Sequence, residues 1–204
     1  TKEVVLLGQT VNSYGRIRQQ GQIPFHELLE QVCAVDGIER VRFTSPHPAE
    51  FSQAQIQAFA DLKELCPHMH LPVQSGSSRV LKMMRRGYSR EEFIDICHRF
   101  KDAVPNAALT TDIIVGFPGE TEQDFEETLS LMEEVRFHSA FSFAYSERKG
   151  TKALDIEDSV LPPERLRRLH VLQALQEEHS QQWLAQMVGS KQTIMIEGPS
   201  KSDP

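Results

Sequence analysis

The sequence predicts an α/β fold of parallel strands with outer helices. Short apolar runs alternate with amphipathic helical segments, and the runs recur roughly every 30 residues. The runs also end in glycines or polar loops. This spacing is typical of parallel strands joined by crossover helices. Five such strands leave two architectures open, an incomplete barrel and an open α/β sheet, and helices that all lie outside favour the barrel.

Five apolar runs are the predicted strands, at residues 4–7, 41–44, 69–73, 109–115 and 140–145. Apolar residues at helical spacing predict the helices between and after them. These stripes run over residues 25–33, 56–65, 80–84, 93–100 and 125–135. Two pairs, Ser89 with Glu92 and Thr121 with Asp124, have the spacing of a capping box and indicate where two of the helices begin.

The last quarter of the chain has a different pattern. Leu161-Pro162-Pro163-Glu164 predicts the start of a long amphipathic helix that ends at Gly189. Residues 192–196 predict a sixth strand, and residues 197–200 a turn. Since a strand needs a neighbour to pair with, we expect this last one to begin a further small domain.

The composition excludes several classes of protein. With 204 residues, 39% hydrophobic and 25% charged, the sequence is typical of a soluble globular chain. A net charge of −7 excludes a broad basic surface for nucleic acid but leaves a local basic patch open. The three cysteines, Cys33, Cys66 and Cys97, are too widely spaced for a disulfide framework or a metal motif, so we expect a reducing, cytoplasmic setting.

Polar, glycine-bearing loops follow all five predicted strands. They cover residues 8–12, 45–47, 74–77, 116–120 and 145–148. Ligands of parallel α/β folds bind at the carboxyl ends of the strands, where these loops meet. Amides, hydroxyls and close-approach glycines suit a ligand with an amino acid part and a nucleoside part. The alternative interpretation is that the loops are ordinary turns.

Longer motifs carry a resemblance to a known family. They cover residues 7–12, 70–77, 84–92, 111–121 and 143–151, in that order along nearly the whole chain. The sequence resembles the radical S-adenosylmethionine (radical SAM) methylthiotransferases, and it is most similar to their transfer-RNA branch. The resemblance implies a partial radical SAM (βα) barrel. It also implies transfer of a methylthio group to carbon 2 of an N6-prenylated adenosine beside the anticodon of tRNA.

The resemblance also implies cofactors, partners and further domains. Members of the family use S-adenosylmethionine, two 4Fe–4S clusters and an electron-donor protein, and a β-rich RNA-binding domain follows the barrel. Neither set of cluster cysteines is present in this sequence. We therefore expect residues 1–160 to form the partial barrel, 161–190 a helix packed on it, and 191–204 the start of the RNA-binding domain. On this interpretation the chain alone does not assemble a cluster and is inactive by itself.

The family's cofactor contacts transfer to eight positions. The loop after the first strand, which would meet the methionine amino group, contributes Gly8, Gln9 and Asn12. The carboxyl ends of the third and fourth of these strands, which would meet the ribose and adenine, contribute Gln74, Ser75, Asp112, Ile114 and Gly116. The family's Gly-x-Ile-x-Gly-x-x-Glu pattern is kept only in part, because position 112 is Asp and the glutamate falls one residue late, at Glu120.

Basic side chains are the candidate substrate-binding residues. Arg148 follows the fifth strand, and Arg85 and Arg86 lie in the basic cluster formed with Lys82 and Arg90. The cluster either meets tRNA phosphates or is a solvated helix end.

Three further questions stay open at the level of sequence. His68 and His70 share one face of a strand, where they form either a metal pair or structural or substrate contacts. The substrate could be an aspartate of a ribosomal protein instead of tRNA. The chain could also be a non-catalytic, nucleoside-binding fragment.

Overall fold

The computed structural model describes residues 1–16, 22–157, 159–196 and 198. Its strands are β1 (Glu3–Leu6), β2 (Arg40–Phe43), β3 (His68–His70), β4 (Ala108–Val115) and β5 (Ser139–Ala144). Every pairing between these strands is parallel. The α/β class predicted from the spacing of the apolar runs is therefore confirmed.

The strands follow one another in space in the order in which they occur in the chain. β1 pairs with β2, and β3, β4 and β5 form a second group in that order. The two groups meet at a parallel bridge between Val41 and Leu65, where the Val41 amide donates to the Glu64 carbonyl at 2.7 Å. A doubly wound sheet reverses its strand order, whereas this arrangement does not. Of the two architectures, the sequential order therefore favours the barrel.

Six α-helices connect and follow the strands. They are α1 (Phe25–Cys33), α2 (Gln53–Asp61), α3 (Ser78–Met83), α4 (Arg90–Ala103), α5 (Glu122–Val135) and α6 (Pro162–Met187). The predicted capping boxes of α4 and α5 are both present. A third one, Ser52 with Gln55, begins α2 and was missed, although the Ser-x-x-Gln spacing was available in the sequence.

The two faces of the sheet differ in chemistry. On β4, Leu109, Ile113 and Val115 are fully buried in the core formed with the helices. Their neighbours alternate to the opposite side, as the two-residue period of a strand requires. We call that side the inner face, and it carries His68, His70, Thr110, Asp112 and Ile114.

Two predicted elements are wrong. The helix expected over residues 56–65 ends at Asp61, because Leu65 joins β2 through its bridge to Val41 and cannot also be helical. Residues 192–196 are described and form no strand, since their exposed backbone has no neighbour to pair with. Of the predicted turn at 197–200, only Gly198 lies within the described residues. The division into three domains stays a prediction.

α6 packs along β5 and α5 through polar contacts as well as apolar ones. Gln176 donates to the Phe137 carbonyl at 3.0 Å, and Ser180 donates to the His138 carbonyl at 2.9 Å. Farther along, the Trp183 ring stacks on His138 with centroids 4.1 Å apart. The helix is thus attached at several points along its length. Among the described residues, no helix has the length and apolarity needed to cross a membrane.

Candidate functional site

Positive backbone φ values occur at the carboxyl ends of the first four strands. Thr10, Ser45 and Gln74 have φ values of 54°, 57° and 74°, and Gly116 has a φ of 71°. Each of these residues follows a different strand, from β1 to β4. A left-handed conformation costs a non-glycine residue about 1 kcal/mol, and such strain clusters at functional sites. These four positions lie at the same end of the sheet as the polar loops.

A cavity of about 700 Å³ opens at this end, beside β3, β4 and β5. Its volume lies in the range of small-molecule and cofactor sites. The side chains that line it are apolar, polar and cationic, and they are Gln74, Met83, Met84, Arg85, Arg86, Asp112, Ile114, Phe117, Phe143, Ala144, Tyr145, Ser146, Arg148, Thr151, Lys152 and Ala153. A mixed lining of this kind suits a ligand that has both an aromatic ring and polar groups.

Two segments of chain form neighbouring parts of the lining. We call residues 116–120 the loop wall, which follows β4 and contributes Phe117. We call residues 144–153 the rim segment, which begins at the last residue of β5 and contributes Arg148 and Lys152. The Phe117 and Tyr145 rings meet edge to face at 5.3 Å, so the two segments touch at the cavity.

Gln74 is held rigidly at the cavity by β4. Its amide donates to the Asp112 carbonyl at 2.8 Å, and its carbonyl accepts from the Ile114 amide at 2.9 Å. These two bonds stabilise the left-handed backbone of Gln74. Three of the predicted cofactor residues are therefore brought together, with Gln74 bridged to the strand that carries Asp112 and Ile114.

A chain of polar contacts leads along the inner face to Asp112. The Thr110 hydroxyl lies 3.0 Å from His68 Nε2 and 3.0 Å from His70 Nδ1. His70 Nε2 in turn lies 3.4 Å from Asp112 Oδ1. Burial, with a contribution from the charge of Arg42, lowers the pKa of His68 to about 4. His68 is therefore neutral at pH 7.

These contacts favour the structural interpretation of the two histidines over the metal pair. Both imidazoles share one threonine hydroxyl. Within the described part of the chain, no group of three or more His, Cys, Asp or Glu side chains could hold a metal ion.

The predicted substrate-binding arginines also reach the cavity. Arg85, Arg86 and Arg148 all line it, together with Lys152. By contrast, Arg90 donates to the carbonyls of Gly76 and Glu127 and holds α4 to neighbouring segments. The basic cluster seen in the sequence therefore divides into cavity-lining and packing members.

The remaining predicted cofactor residues lie elsewhere. Gly8 and Gln9 line a separate groove next to β1, with Tyr14 and Leu28. Asn12 is buried, and its side chain accepts from the His47 amide at 2.8 Å and donates to the His47 carbonyl at 3.0 Å. Asn12 therefore holds the loop after β2 in place. A cofactor role for these three residues stays a prediction.

Ser75 and Gly116 make close contacts within the protein. The Ser75 side chain is fully buried and accepts from the Ser77 amide at 3.2 Å. Gly116 packs against Arg165, and a Cβ atom there would lie 2.4 Å from Arg165 Cγ. Neither residue is among those that line the cavity, and contact with a cofactor stays a prediction for both.

Sequence reasoning missed the aromatic part of the lining. Phe117, Phe143 and Tyr145 lie at the cavity, and Phe143 is 55% exposed. Phe141 and Phe143 both project from the inner face of β5, because they are two residues apart on one strand. That i, i+2 pair of phenylalanines was the signal available in the sequence.

The described residues do not fit an iron–sulfur cluster. All three cysteines are free and buried. Burial raises the pKa of Cys33 to about 11, and it raises the pKa of Cys97 further still. A cluster needs thiolates that converge on its irons, and among the described residues no three such ligands converge. S-adenosylmethionine does fit, because the cavity has the volume, the apolar surfaces and the polar groups that a nucleoside with an amino acid tail requires.

Comparisons with known proteins agree with this geometry. Residues 1–132 match the radical SAM superfamily. The chain therefore belongs to the radical SAM superfamily. The coproporphyrinogen III oxidase HemN from Escherichia coli, a radical SAM enzyme, has a similar fold, with a TM-score of 0.55 over 87% of this chain and 53% of that chain at 13% identity.

More similar relatives specify the branch. The tRNA-2-methylthio-N(6)-dimethylallyladenosine synthase of Syntrophus aciditrophicus is 47% identical over 98% of this chain and 43% of its own length. The synthase of the same name from Trichlorobacter lovleyi is 51% identical over 98% of this chain and 45% of its own length. The resemblance predicted from the motifs is confirmed. The chain spans less than half of the length of these relatives.

Proposed function

We propose that this chain is the S-adenosylmethionine-binding part of a tRNA methylthiotransferase that modifies carbon 2 of an N6-prenylated adenosine beside the anticodon. The observation that carries the proposal is the cavity, which combines a nucleoside-sized volume, aromatic walls and a cationic edge at the carboxyl ends of the strands. The names of the relatives support the choice of tRNA as the substrate.

Gln74, Asp112 and Ile114 are the residues that would hold the nucleoside part of S-adenosylmethionine. When bound, this cofactor supplies radical and methyl-transfer chemistry to enzymes of the superfamily. The Asp112 carboxylate can accept hydrogen bonds from ribose hydroxyls, which are favourable charge-assisted contacts. Phe117 and Met83 provide apolar surface that excludes water from a bound ring.

The cationic edge of the cavity, formed by Arg85, Arg86 and Arg148, would recognise the tRNA backbone. Among the described residues, no side chain forms a hydrogen bond or ion pair with the guanidinium groups of Arg85, Arg86 and Arg148, so their charges are available to phosphate. This local patch is compatible with the net charge of −7, because affinity for RNA depends on where the basic groups lie.

The proposal includes parts that lie outside the described residues. The complete enzyme would hold two 4Fe–4S clusters and receive electrons from a donor protein. We place it in the cytoplasm, and the three free cysteines support that setting.

The direct test is nucleoside analysis of tRNA. Full-length enzyme, loaded with clusters and supplied with S-adenosylmethionine and a reductant, would be incubated with tRNA that carries the prenylated adenosine. Mass spectrometry should find the methylthio adduct. If the adduct appears instead on an aspartate of a ribosomal protein, the tRNA assignment is wrong. If the protein binds S-adenosylmethionine but forms no product, the result would support the alternative of a non-catalytic, nucleoside-binding protein.

A further inference from the structure

A buried ion pair joins α6 to the loop wall. Arg168 Nη1 donates to Glu120 Oε2 at 2.8 Å, and the two side chains are only 6% and 1% exposed. Arg168 also donates to the Glu120 carbonyl at 3.2 Å. Forty-eight residues separate the pair in sequence. Removing one partner of such a pair leaves an uncompensated buried charge, so the contact strongly constrains both segments.

Glu120 also binds Gly116, the residue that follows β4, so the ion pair constrains Gly116 as well. The same oxygen, Glu120 Oε2, accepts from the Gly116 amide at 2.6 Å. Glu120 Oε1 is buried with no hydrogen-bond partner among the described residues, so the contacts of this carboxyl group are concentrated on one atom. Burial raises the pKa of Glu120, and the hydrogen bonds from Arg168 and Gly116 act in the opposite direction.

The loop wall is thus held at both ends by one carboxylate and one guanidinium. Between those ends lies Phe117, which is 7% exposed and forms part of the cavity lining. The first turns of α6 add a second contact, because Arg165 packs on Gly116 and its Cζ lies 5.4 Å from the centre of the Tyr145 ring. Any displacement of Arg168 would therefore move the phenylalanine that faces the ligand.

Arg168 has further hydrogen bonds that fix its own orientation. Its Nε donates to Glu164 Oε1 at 2.8 Å, and its Nη2 donates to Glu122 Oε2 at 3.1 Å. The planar guanidinium can satisfy these acceptors and Glu120 together, whereas a lysine ammonium has no such fork. The position therefore calls for arginine rather than for any cation.

We propose that Arg168 is a positioning residue for the nucleoside site. It acts through Glu120 to hold Gly116 and Phe117 in the conformation that receives the ligand. That the ligand is a nucleoside rests on the proposed function, whereas the effect of Arg168 on the loop wall does not. The role differs from simple stabilisation of the fold, because it predicts a change localised at residues 116–120.

Four variants of the full-length protein test the proposal. Arg168→Met removes the ion pair, and Arg168→Lys restores the charge alone. Arg167→Met is the matched control, since Arg167 is exposed and pairs with Glu122 and Glu164 but not with Glu120. Leu172→Ala removes a fully buried side chain of the same helix and serves as a control for general destabilisation.

Two measurements are made on each variant. Hydrogen exchange of residues 116–120, read by mass spectrometry, reports the order of the loop wall. Titration with S-adenosylhomocysteine reports the affinity of the site. In Arg168→Met we expect exchange at these residues to rise and the dissociation constant to increase, each about tenfold. Arg168→Lys should lie between, and Arg167→Met should match the unsubstituted protein.

Several outcomes separate the possibilities. If Leu172→Ala raises exchange at residues 116–120 as much as Arg168→Met does at equal loss of melting temperature, Arg168 is only a structural residue and the proposal is overturned. Unchanged exchange at these residues in Arg168→Met also overturns it. If the unsubstituted protein fails to bind S-adenosylhomocysteine, the proposed function loses its support, while the exchange experiment still decides the role of Arg168.

Discussion

The loop wall and the rim segment line the same cavity but are held in different ways. The loop wall is mostly buried, and its hydrogen bonds reach α6, 48 residues away in the sequence. The rim segment contacts α6 near its start, where Arg165 donates to the Tyr145 carbonyl at 3.3 Å. Most of it is exposed, and the hydrogen bond from Thr151 to the Arg148 carbonyl is local. A buried, cross-linked wall suits a small ligand of fixed shape, whereas an exposed cationic segment suits a large anionic partner. The difference indicates that the loop wall serves the small ligand and the rim segment serves the large partner.

The largest expected effect concerns the buried loop that follows β3, next to the site. A Cβ atom on Gly76 would lie 2.4 Å from the Thr128 Cα and 2.7 Å from the Glu127 carbonyl, so backbone must move. Gly76→Ala should lower the free energy of unfolding by about 3 kcal/mol, measured by chemical denaturation.

Gly8→Ala is the control for this prediction. Its added Cβ meets nothing closer than 3.5 Å, so its stability should stay within about 0.5 kcal/mol of the unsubstituted protein. Equal stability of the two variants would show that the close approach of the loop after β3 to α5 does not hold in solution.

The second prediction tests whether the polar groups of the cavity select the small ligand. Asp112→Asn keeps the shape of the side chain and removes its charge, so affinity for S-adenosylhomocysteine should fall about tenfold with little change in melting temperature. Calorimetric titration measures the affinity. An unchanged dissociation constant would remove Asp112 from the binding site.

A pH dependence tests the inner face below the cavity. His68 has a pKa of about 4 in the folded protein against 6.5 as the ordinary value. Between these values the unfolded chain binds a proton that the folded chain does not, so stability should fall as the pH falls from 6.5 to 4. Allowing for partial solvent exposure, the loss from this group is roughly 1–2 kcal/mol.

Urea unfolding at several pH values measures this loss. His68→Gln should have a smaller decrease in stability across the same window, by roughly 1–2 kcal/mol. Parallel curves for the two proteins would mean that His68 titrates normally in the folded state. The experiment thus asks whether the inner face is as desolvated as the structure indicates.

The smallest effect is expected at the rim segment. Arg148→Gln should weaken binding of tRNA modestly and reduce the salt dependence of the affinity by about one ion. Its affinity for S-adenosylhomocysteine should not change. Lys63→Gln removes the same charge and is the control, because Lys63 is exposed and precedes β3, at the amino-terminal end of the strands. If Arg148→Gln and Lys63→Gln weaken tRNA binding equally, the rim segment has no special role.

The sequence predicted the elements whose signals are local. All five strands of the barrel were visible as apolar runs, and the capping boxes at Ser89 and Thr121 depend on residues only three positions apart. The end of α2 was not predictable in this way, because the pairing of Leu65 with Val41 joins distant parts of the chain. The prediction of a strand at residues 192–196 was wrong for a similar reason, because a strand forms only where another strand pairs with it.

The site was predictable in part. Motif resemblance pointed to Gln74, Asp112 and Ile114, and the structure brings these residues together. The ion pair between Arg168 and Glu120 has no short-range pattern, because its partners meet only when α6 packs on the loop wall. Side chains that act through tertiary contacts of this kind leave no periodicity in a single sequence.

The shared hydroxyl of Thr110 has a consequence for the direction of hydrogen bonding on the inner face. A hydroxyl has one proton, so it can donate to only one of the two imidazoles that lie 3.0 Å away and must accept from the other. When His70 directs its Nε2 proton towards Asp112, its Nδ1 accepts from Thr110, and Thr110 then accepts from Nε2 of His68. In this arrangement the tautomers of the two histidines are coupled through the single proton of Thr110.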